Sequence, residues 1–190
     1  MVRVGVLALQ GAFSLHKPHL EALGAEYFEV TRPIDFGRID ALILPGGESS
    51  VMLKLLESLE MNQAFIAFLK SERPVWGICA GAILLSKRVR NPVQISFGLI
   101  DIEIQRNSYG RQLESFDSDI DGYTVSFIRA PRILSVGAHI EIRSTQDGSP
   151  TWIECDHFTL TTFHPELNLN FPSPWHERLV QKARETSPKA

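Results

Sequence analysis

A glycine-bracketed cysteine, Gly77-Ile78-Cys79-Ala80-Gly81, constrains this chain more than any other feature. The apolar run Val75-Trp76-Gly77-Ile78 leads into it and the helix-like Ala82-Ile83-Leu84-Leu85 leads out. Such a G-x-Nuc-x-G pattern belongs to a strand-to-helix turn that lifts a nucleophile clear of the backbone. A turn that tight leaves no room for a Cβ at its flanks, which is the role of Gly77 and Gly81. Sulfur suits the position, because a thiolate is a strong nucleophile near neutral pH. A free cysteine is also a common small buried hydrophobe, so the remaining sequence has to decide between the two.

Strand-like and helix-like segments alternate through the first half. Val4–Leu9, Glu26–Val30, Ala41–Leu44 and Val75–Ile78 read as strands. Ser14–Leu23, with Gly24 as its stop, and then Ser49–Leu59 and Asn62–Lys70 read as helices. That order predicts an α/β fold, a doubly wound, mostly parallel sheet flanked by helices. In the middle, Ile100–Gln105, Tyr123–Ile128 and Val136–Ile142 alternate apolar and polar residues, with turns at Asp121-Gly122 and Asp147-Gly148; these predict an antiparallel extension of the sheet. Phe158–Phe163 reads as the last strand and Trp175–Glu185 as a closing helix, with a frayed tail over Thr186–Ala190. One domain over residues 1–190 is expected for this length and for a composition of 44% hydrophobic and 22% charged residues.

In an open parallel sheet, ligands bind beyond the carboxyl ends of the strands. Four predicted strands end in chemistry-bearing residues: Gln10-Gly11, Pro45-Gly46-Gly47-Glu48-Ser49, Cys79, and His164-Pro165-Glu166. Pro165 excludes His164 from the α region. An extended chain turns residues i and i+2 to one side, so Glu166 can reach the imidazole as the orienting member of a triad. The competing reading is a loop histidine beside an unrelated glutamate. Gly46-Gly47 can turn backbone N–H groups inward, and the N–H of Ala80 follows the nucleophile; together they fit an oxyanion hole. A plain βα turn is the alternative for the glycine pair.

Other features are excluded or assigned structural roles. A net charge of −3 with no basic block gives no reason to expect nucleic acid or an acidic membrane. Lys87-Arg88-Val89-Arg90 reads as a solvated loop. His16 and His19 read as solvated helix residues, and with His139, His157 and His176 they form no cluster at metal spacing. No nucleotide-binding glycine motif is present, and no cofactor or metal is expected. Cys155 reads as structural. Two cysteines make no disulfide framework, and no signal segment or membrane span is evident, so a reducing, cytoplasmic setting is expected.

Taken together, Gly77–Gly81 and His164-Pro165-Glu166 resemble the triad-type, class I glutamine amidotransferases. Within them the chain is most similar to the glutaminase subunits of pyridoxal 5′-phosphate synthase. The resemblance runs through Gly5–Phe13, Leu42–Ser50, Pro74–Leu85, Arg106-Asn107-Ser108-Tyr109-Gly110-Arg111-Gln112, Phe127-Ile128-Arg129-Ala130-Pro131 and Thr162–Leu167. It implies hydrolysis of L-glutamine to glutamate and ammonia, and delivery of the ammonia to a (β/α)8-barrel synthase subunit. It also implies Cys79 as nucleophile, His164 as base and then acid, and Glu166 as orienting carboxylate. Gly46, Gly47, Glu48, Arg106, Ile128 and Arg129 would contact glutamine, with Gly47 and Ala80 at the oxyanion. An arginine fork suits a substrate carboxylate; a structural ion pair is the other reading of Arg106 and Arg129. The glutaminase of imidazole glycerol phosphate synthase, or a catalytically silent scaffold subunit, would share the triad pattern. Ile78, Ala82, the stretch Ser86–Phe97 and the stretch Asn168–His176 depart from the family pattern.

Overall fold

A computed structural model describes residues 1–106 and 115–186. In chain order the elements are β1 (Arg3–Leu7), a 3-10 turn (Phe13–His16), α1 (Lys17–Ala22), β2 (Glu26–Val30), β3 (Ala41–Leu44), α2 (Ser49–Ser58), α3 (Asn62–Leu69), β4 (Val75–Ile78) and α4 (Ala80–Leu85). They continue as β5 (Ser86–Arg90), β6 (Ile100–Gln105), β7 (Phe116–Ile120), β8 (Tyr123–Phe127), β9 (Arg132–Val136), β10 (Glu141–Gln146), β11 (Ser149–Cys155), β12 (Phe158–Thr161), a 3-10 turn (Pro165–Leu167) and α5 (Pro174–Thr186).

A seven-stranded sheet in the order β10-β11-β12-β4-β3-β1-β2 forms the centre. Strands β12, β4, β3, β1 and β2 run parallel, while β11 and β10 continue the sheet antiparallel. Alternate residues of each central strand face opposite cores, as the period of two requires. Leu42 and Leu44 of β3 join Phe65 and Phe68 of α3 and Leu56 of α2 on one face. Ala41 and Ile43 join Leu20 of α1 and Trp175, Leu179 and Val180 of α5 on the other. A strand buried on both faces reads as a continuous apolar run, which is why Ala41–Leu44 and Val75–Ile78 were recognisable.

The middle of the chain differs from expectation. Only β10 and β11 extend the main sheet. Strand β6 belongs to a separate three-stranded sheet, β5-β6-β9, and β8 pairs with β7 in a two-stranded one. Lys87–Arg90 lies in strand β5 rather than in a loop, parallel to β6. Its cations sit on the solvated face, where Lys87 reaches Asp101 and Arg90 reaches Glu103. The segment expected as one strand over Val136–Ile142 is broken: β9 ends at Val136, a turn follows in which Ile140 N–H donates to Gly137 O, and β10 starts at Glu141. Ser14–Leu23 is a 3-10 turn followed by a short α-helix, with Pro18 near the helix start. Both Asp-Gly pairs form the expected hairpin tips, with positive φ at Asp121, Gly122, Asp147 and Gly148. The residues Asn107–Gln112 of the Arg106–Gln112 segment and the tail from Ser187 onward lie outside the described residues. Among the described residues no helix is long and apolar enough to cross a membrane.

The turn after β4 is held by close backbone contact. A Cβ on Gly81 would stand 2.3 Å from the Leu44 carbonyl oxygen, and one on Gly77 would stand 2.9 Å from the Gly81 carbonyl carbon. Helix α4 is therefore pressed against the end of β3 and against its own lead-in strand. Gly81→Ala is expected to lower unfolding stability by about 2 kcal/mol or more, since the clash is with backbone that cannot rotate away. Urea denaturation of the variant checks this; an unchanged midpoint contradicts it.

Candidate active site

The carboxyl ends of β12, β4, β3 and β1 lie side by side, and the segments leaving them meet in a cavity of about 200 Å³. At its floor is Cys79, with φ 48° and ψ −96°. A non-glycine residue in that region is strained by about 1–3 kcal/mol. The strain is held by Cys79 N–H donating to Thr161 O (2.8 Å), by Cys79 O accepting from Ile83 N–H (3.2 Å), and by the two flanking glycine contacts. The side chain is 8% exposed.

His164 comes from the segment after β12. Pro165 keeps it extended, at φ −114° and ψ 87°, and its N–H donates to Ser126 O at 2.8 Å. The i, i+2 geometry brings Nδ1 to 2.7 Å from Glu166 Oε1. That leaves Nε2 free for Cys79, which lines the same cavity. Burial disfavours a charged imidazole, but the Glu166 carboxylate and Cys79 outweigh it and hold His164 well above its ordinary pKa. Burial likewise opposes ionisation of Glu166, which is 2% exposed. The charge on His164, the bond to it, a smaller contribution from His16 and the residue's own backbone N–H bring its pKa below the usual carboxylate value.

The glycines after β3 make room for other groups. A Cβ on Gly46 would stand 2.1 Å from His164 Cε1, so the imidazole lies against the bare Cα. A Cβ on Gly47 would strike Gln10 Oε1 at 2.5 Å, and that oxygen accepts the Glu48 N–H at 2.8 Å. Gly46 O accepts from Ala12 N–H at 3.0 Å. In a trans peptide the N–H opposes the C=O, so the Gly47 N–H turns away from Ala12. Gln10, noted in the sequence only as a strand-end residue, thus pins the turn. Its position directly after β1 was the available signal.

Gly46, Gly47, Glu48, Cys79, Arg106, Ile128, Arg129 and His164 all line the cavity. Ala80, the first residue of α4, and Glu166, behind His164, do not. Arg106 Nη2 reaches Glu48 Oε1 at 2.6 Å, so the ion-pair reading of that arginine holds in this structure. Arg129 is exposed and has φ 45°. Ser49, singled out in the sequence as a strand-end residue, also reaches the cavity, as do Ile83, Pro131 and Leu167, to which the sequence assigns no individual role. Cys155 is buried away from the cavity, and burial together with Asp156 pushes its thiol up to about 11.

The reading of His16 and His19 as solvated is overturned. Both are fully buried, as is His176. His16 Nδ1 lies 2.8 Å from His176 Nε2, and the rings of His19 and His176 stack at 4.2 Å. The helix α5 covers them, and its histidine is 160 positions away from His16. Among the described residues, no group of three or more His, Cys, Asp or Glu side chains is arranged to hold a metal ion.

Burial brings His16 from 6.5 to about 4, and lowers His19 and His176. These rings stay neutral in the fold but charge in the unfolded chain, so the unfolded state binds more protons as the pH drops below 6.5. Stability therefore falls on that side, by up to ~1.4 kcal/mol per pH unit for each ring. His164 has the opposite sign: its contribution is complete below 6.5 and is lost as the pH rises through its raised pKa. Urea unfolding across pH 4.5–9 is expected to show maximal stability near neutrality with losses on both sides. Stability that rises steadily from pH 7 to pH 5 contradicts the neutral histidine cluster.

Comparison with known proteins places this chain in a family. The model of the SNO glutamine amidotransferase family matches residues 6–180. A pyridoxal 5′-phosphate synthase subunit PdxT from Thermotoga maritima is 39% identical over 173 residues, which cover 87% of this chain and 92% of that protein. The PdxT of Solibacter usitatus is 43% identical over 179 residues, covering 88% and 93%. A crystal structure described as a glutamine amidotransferase superposes with a TM-score of 0.85 at 34% identity, over 95% of this chain and 98% of the other. A further glutamine amidotransferase structure from Thermotoga maritima, at 14% identity and a TM-score of 0.61, shares the fold. With its glycine-bracketed cysteine and its His164–Glu166 pair at one rim of the sheet, the chain belongs to the SNO glutamine amidotransferase family.

Proposed function

We propose that this chain is the glutaminase of a pyridoxal 5′-phosphate synthase: it hydrolyses L-glutamine to glutamate and ammonia and passes the ammonia to a (β/α)8-barrel synthase subunit. The observation that carries this reading is that Cys79 and a His164 paired with Glu166 at 2.7 Å line one cavity, which is small enough for one amino acid. Family membership and the names of the relatives support the assignment of substrate and partner.

In this mechanism the Cys79 proton already resides on His164 Nε2, in keeping with the raised pKa of that ring, and the sulfur attacks the side-chain amide carbon of glutamine. The carbonyl oxygen becomes an oxyanion, facing the N–H groups of Ala80 and Gly47. His164 returns the proton to the amide nitrogen, the C–N bond breaks, and ammonia leaves a glutamyl thioester. Water then attacks the thioester as His164 takes a proton from it. The C–S bond breaks, glutamate leaves and Cys79 is restored. Glu166 keeps Nδ1 of His164 protonated throughout, so Nε2 exchanges the protons. Glu48 and Arg106, which pair across the cavity wall, and Ile128 and Arg129 on the loop after β8 are placed to receive the substrate's amino-acid end. An arginine drawn from Glu48 to the α-carboxylate would exchange one carboxylate partner for another.

The test is ammonia release from glutamine by the full chain mixed with its synthase subunit. Cys79→Ala is expected to reduce turnover by at least ~10³-fold, and Glu166→Gln by about 10²–10⁴-fold, the range for losing a nucleophile or an orienting carboxylate. Arg106→Gln is expected to raise KM for glutamine with a smaller effect on kcat. Full activity in Cys79→Ala, or no activity of the unmodified chain in the assembled complex, would sink the proposal.

A further inference from the structure

Only one oxygen of Glu166 is accounted for by the chemistry above. Oε1 accepts from His164, whereas Oε2 is buried without a hydrogen-bond partner among the described residues. A buried carboxylate oxygen is strongly disfavoured unless a donor serves it. The segment Phe13–His16 packs against the Pro165–Leu167 turn that carries Glu166, and it ends in a fully buried histidine. Nε2 of that histidine, His16, is likewise buried and unpartnered among the described residues. An acceptor and a ring nitrogen on two packed segments thus each lack a partner.

The other side of His16 is well ordered. Its Nδ1 lies 2.8 Å from His176 Nε2, and His176 Nδ1 lies 2.6 Å from Ser173 Oγ. His19 stacks on His176, and its Nδ1 accepts the Ser173 N–H at 3.0 Å. Burial keeps these rings neutral near pH 7, and a neutral imidazole has one N–H. The His16–His176 bond then has two settings. In one, His16 donates through Nδ1 and turns a bare Nε2 lone pair outward. In the other, Ser173 Oγ–H donates to His176 Nδ1, His176 Nε2–H donates to His16 Nδ1, and His16 carries its proton on Nε2. The negative charge of Glu166, whose field reaches His16, favours the second, because it presents a donor to the anion.

We propose that His16 is a positioning residue for Glu166: its Nε2–H serves the second carboxylate oxygen through one trapped water, and His176 and Ser173 fix its tautomer. With that water in place the line runs from Ser173 through His176 and His16 to Glu166, and on to His164, which shares its cavity with Cys79. No proton has to travel along it; its work is to keep Glu166 ionised and still. The titratable groups acting on Glu166 are His164, His16 and His19, whose Nε2 is also buried and unpartnered among the described residues; those acting on His16 are Glu166, His19 and His164, and those acting on His176 are His16 and His19. The catalytic consequence rests on the reading of Glu166 as the orienting carboxylate.

His16→Gln and His16→Asn separate this role from packing. A glutamine amide nitrogen stands near the place of Nε2, whereas an asparagine amide stands near Nδ1 and leaves Glu166 without its donor. With the full chain in complex with its synthase subunit, His16→Gln is expected to keep kcat within about threefold. His16→Asn is expected to lower kcat about 10–100-fold at unchanged KM, the usual effect of losing a supporting hydrogen bond behind a reactive group. It should also move the acid limb of the kcat–pH profile to higher pH, because Glu166 loses a donor that favours its ionised form. Proton NMR of the His164 Nδ1–H should show a shifted resonance in His16→Asn and not in His16→Gln. Ser173→Ala is the milder variant should His16→Asn not fold, and it is expected to move the acid limb and the resonance in the same direction. A folded His16→Asn with the parent's kcat, profile and resonance overturns the proposal. So do equal losses in Asn and Gln variants with an unmoved profile, and so does an unmoved profile and resonance in Ser173→Ala where only that variant folds. If the parent chain itself releases no ammonia in the complex, the glutaminase reading falls, and the NMR comparison still decides the role of His16.

Discussion

The backbone contact between Gly81 and the Leu44 carbonyl is the constraint on which the rest of the site depends. It sets the start of α4 directly over the end of β3, and this forces Cys79 into a positive-φ turn. Because β3 and β12 flank β4 in the sheet, the same contact sets the sulfur beside both the Gly46-Gly47 turn and the segment that carries His164. The bare Cα of Gly46 then admits the imidazole ring. Three glycines thus act through the space they leave, and each space is taken by a different partner: a carbonyl, a helix start and a histidine.

Electrostatics completes what the backbone begins. A buried carboxylate and a buried imidazole are each unfavourable alone. Together they hold one another in their charged forms, and Cys79 adds to the effect on His164. Behind them the surroundings reverse: three buried rings with no carboxylate in direct contact are kept neutral. The molecule therefore places a charged pair and a neutral histidine cluster in adjacent layers, which separates a part that carries charge from a part that can only donate or accept hydrogen bonds.

Much of the site was legible in the sequence because its determinants are local. Gly77 and Gly81 bracket Cys79 within five residues, Pro165 fixes the backbone of His164, and Glu166 is two positions on. The Asp121-Gly122 and Asp147-Gly148 tips were legible for the same reason. The partition of the middle strands into three sheets was not, since alternation shows that a strand is half-buried and not which strand it joins. The charges of Lys87, Arg88 and Arg90 concealed strand β5, whose buried side is supplied by Ser86 and Val89 alone. His16 and His19 sit among polar neighbours and were read as solvated; their burial depends on α5, which arrives from the far end of the chain.

The central claim is that Cys79 is the group that bonds covalently to the substrate. Intact-mass and peptide mapping of the chain, in complex with its synthase subunit, after exposure to a glutamine-like diazoketone tests it most directly. The account predicts a single adduct on Cys79, prevented by excess glutamine and strongly slowed in His164→Ala, with Cys155 unmodified. Modification at Cys155 instead, or labelling of Cys79 that neither glutamine nor the loss of His164 affects, would contradict it.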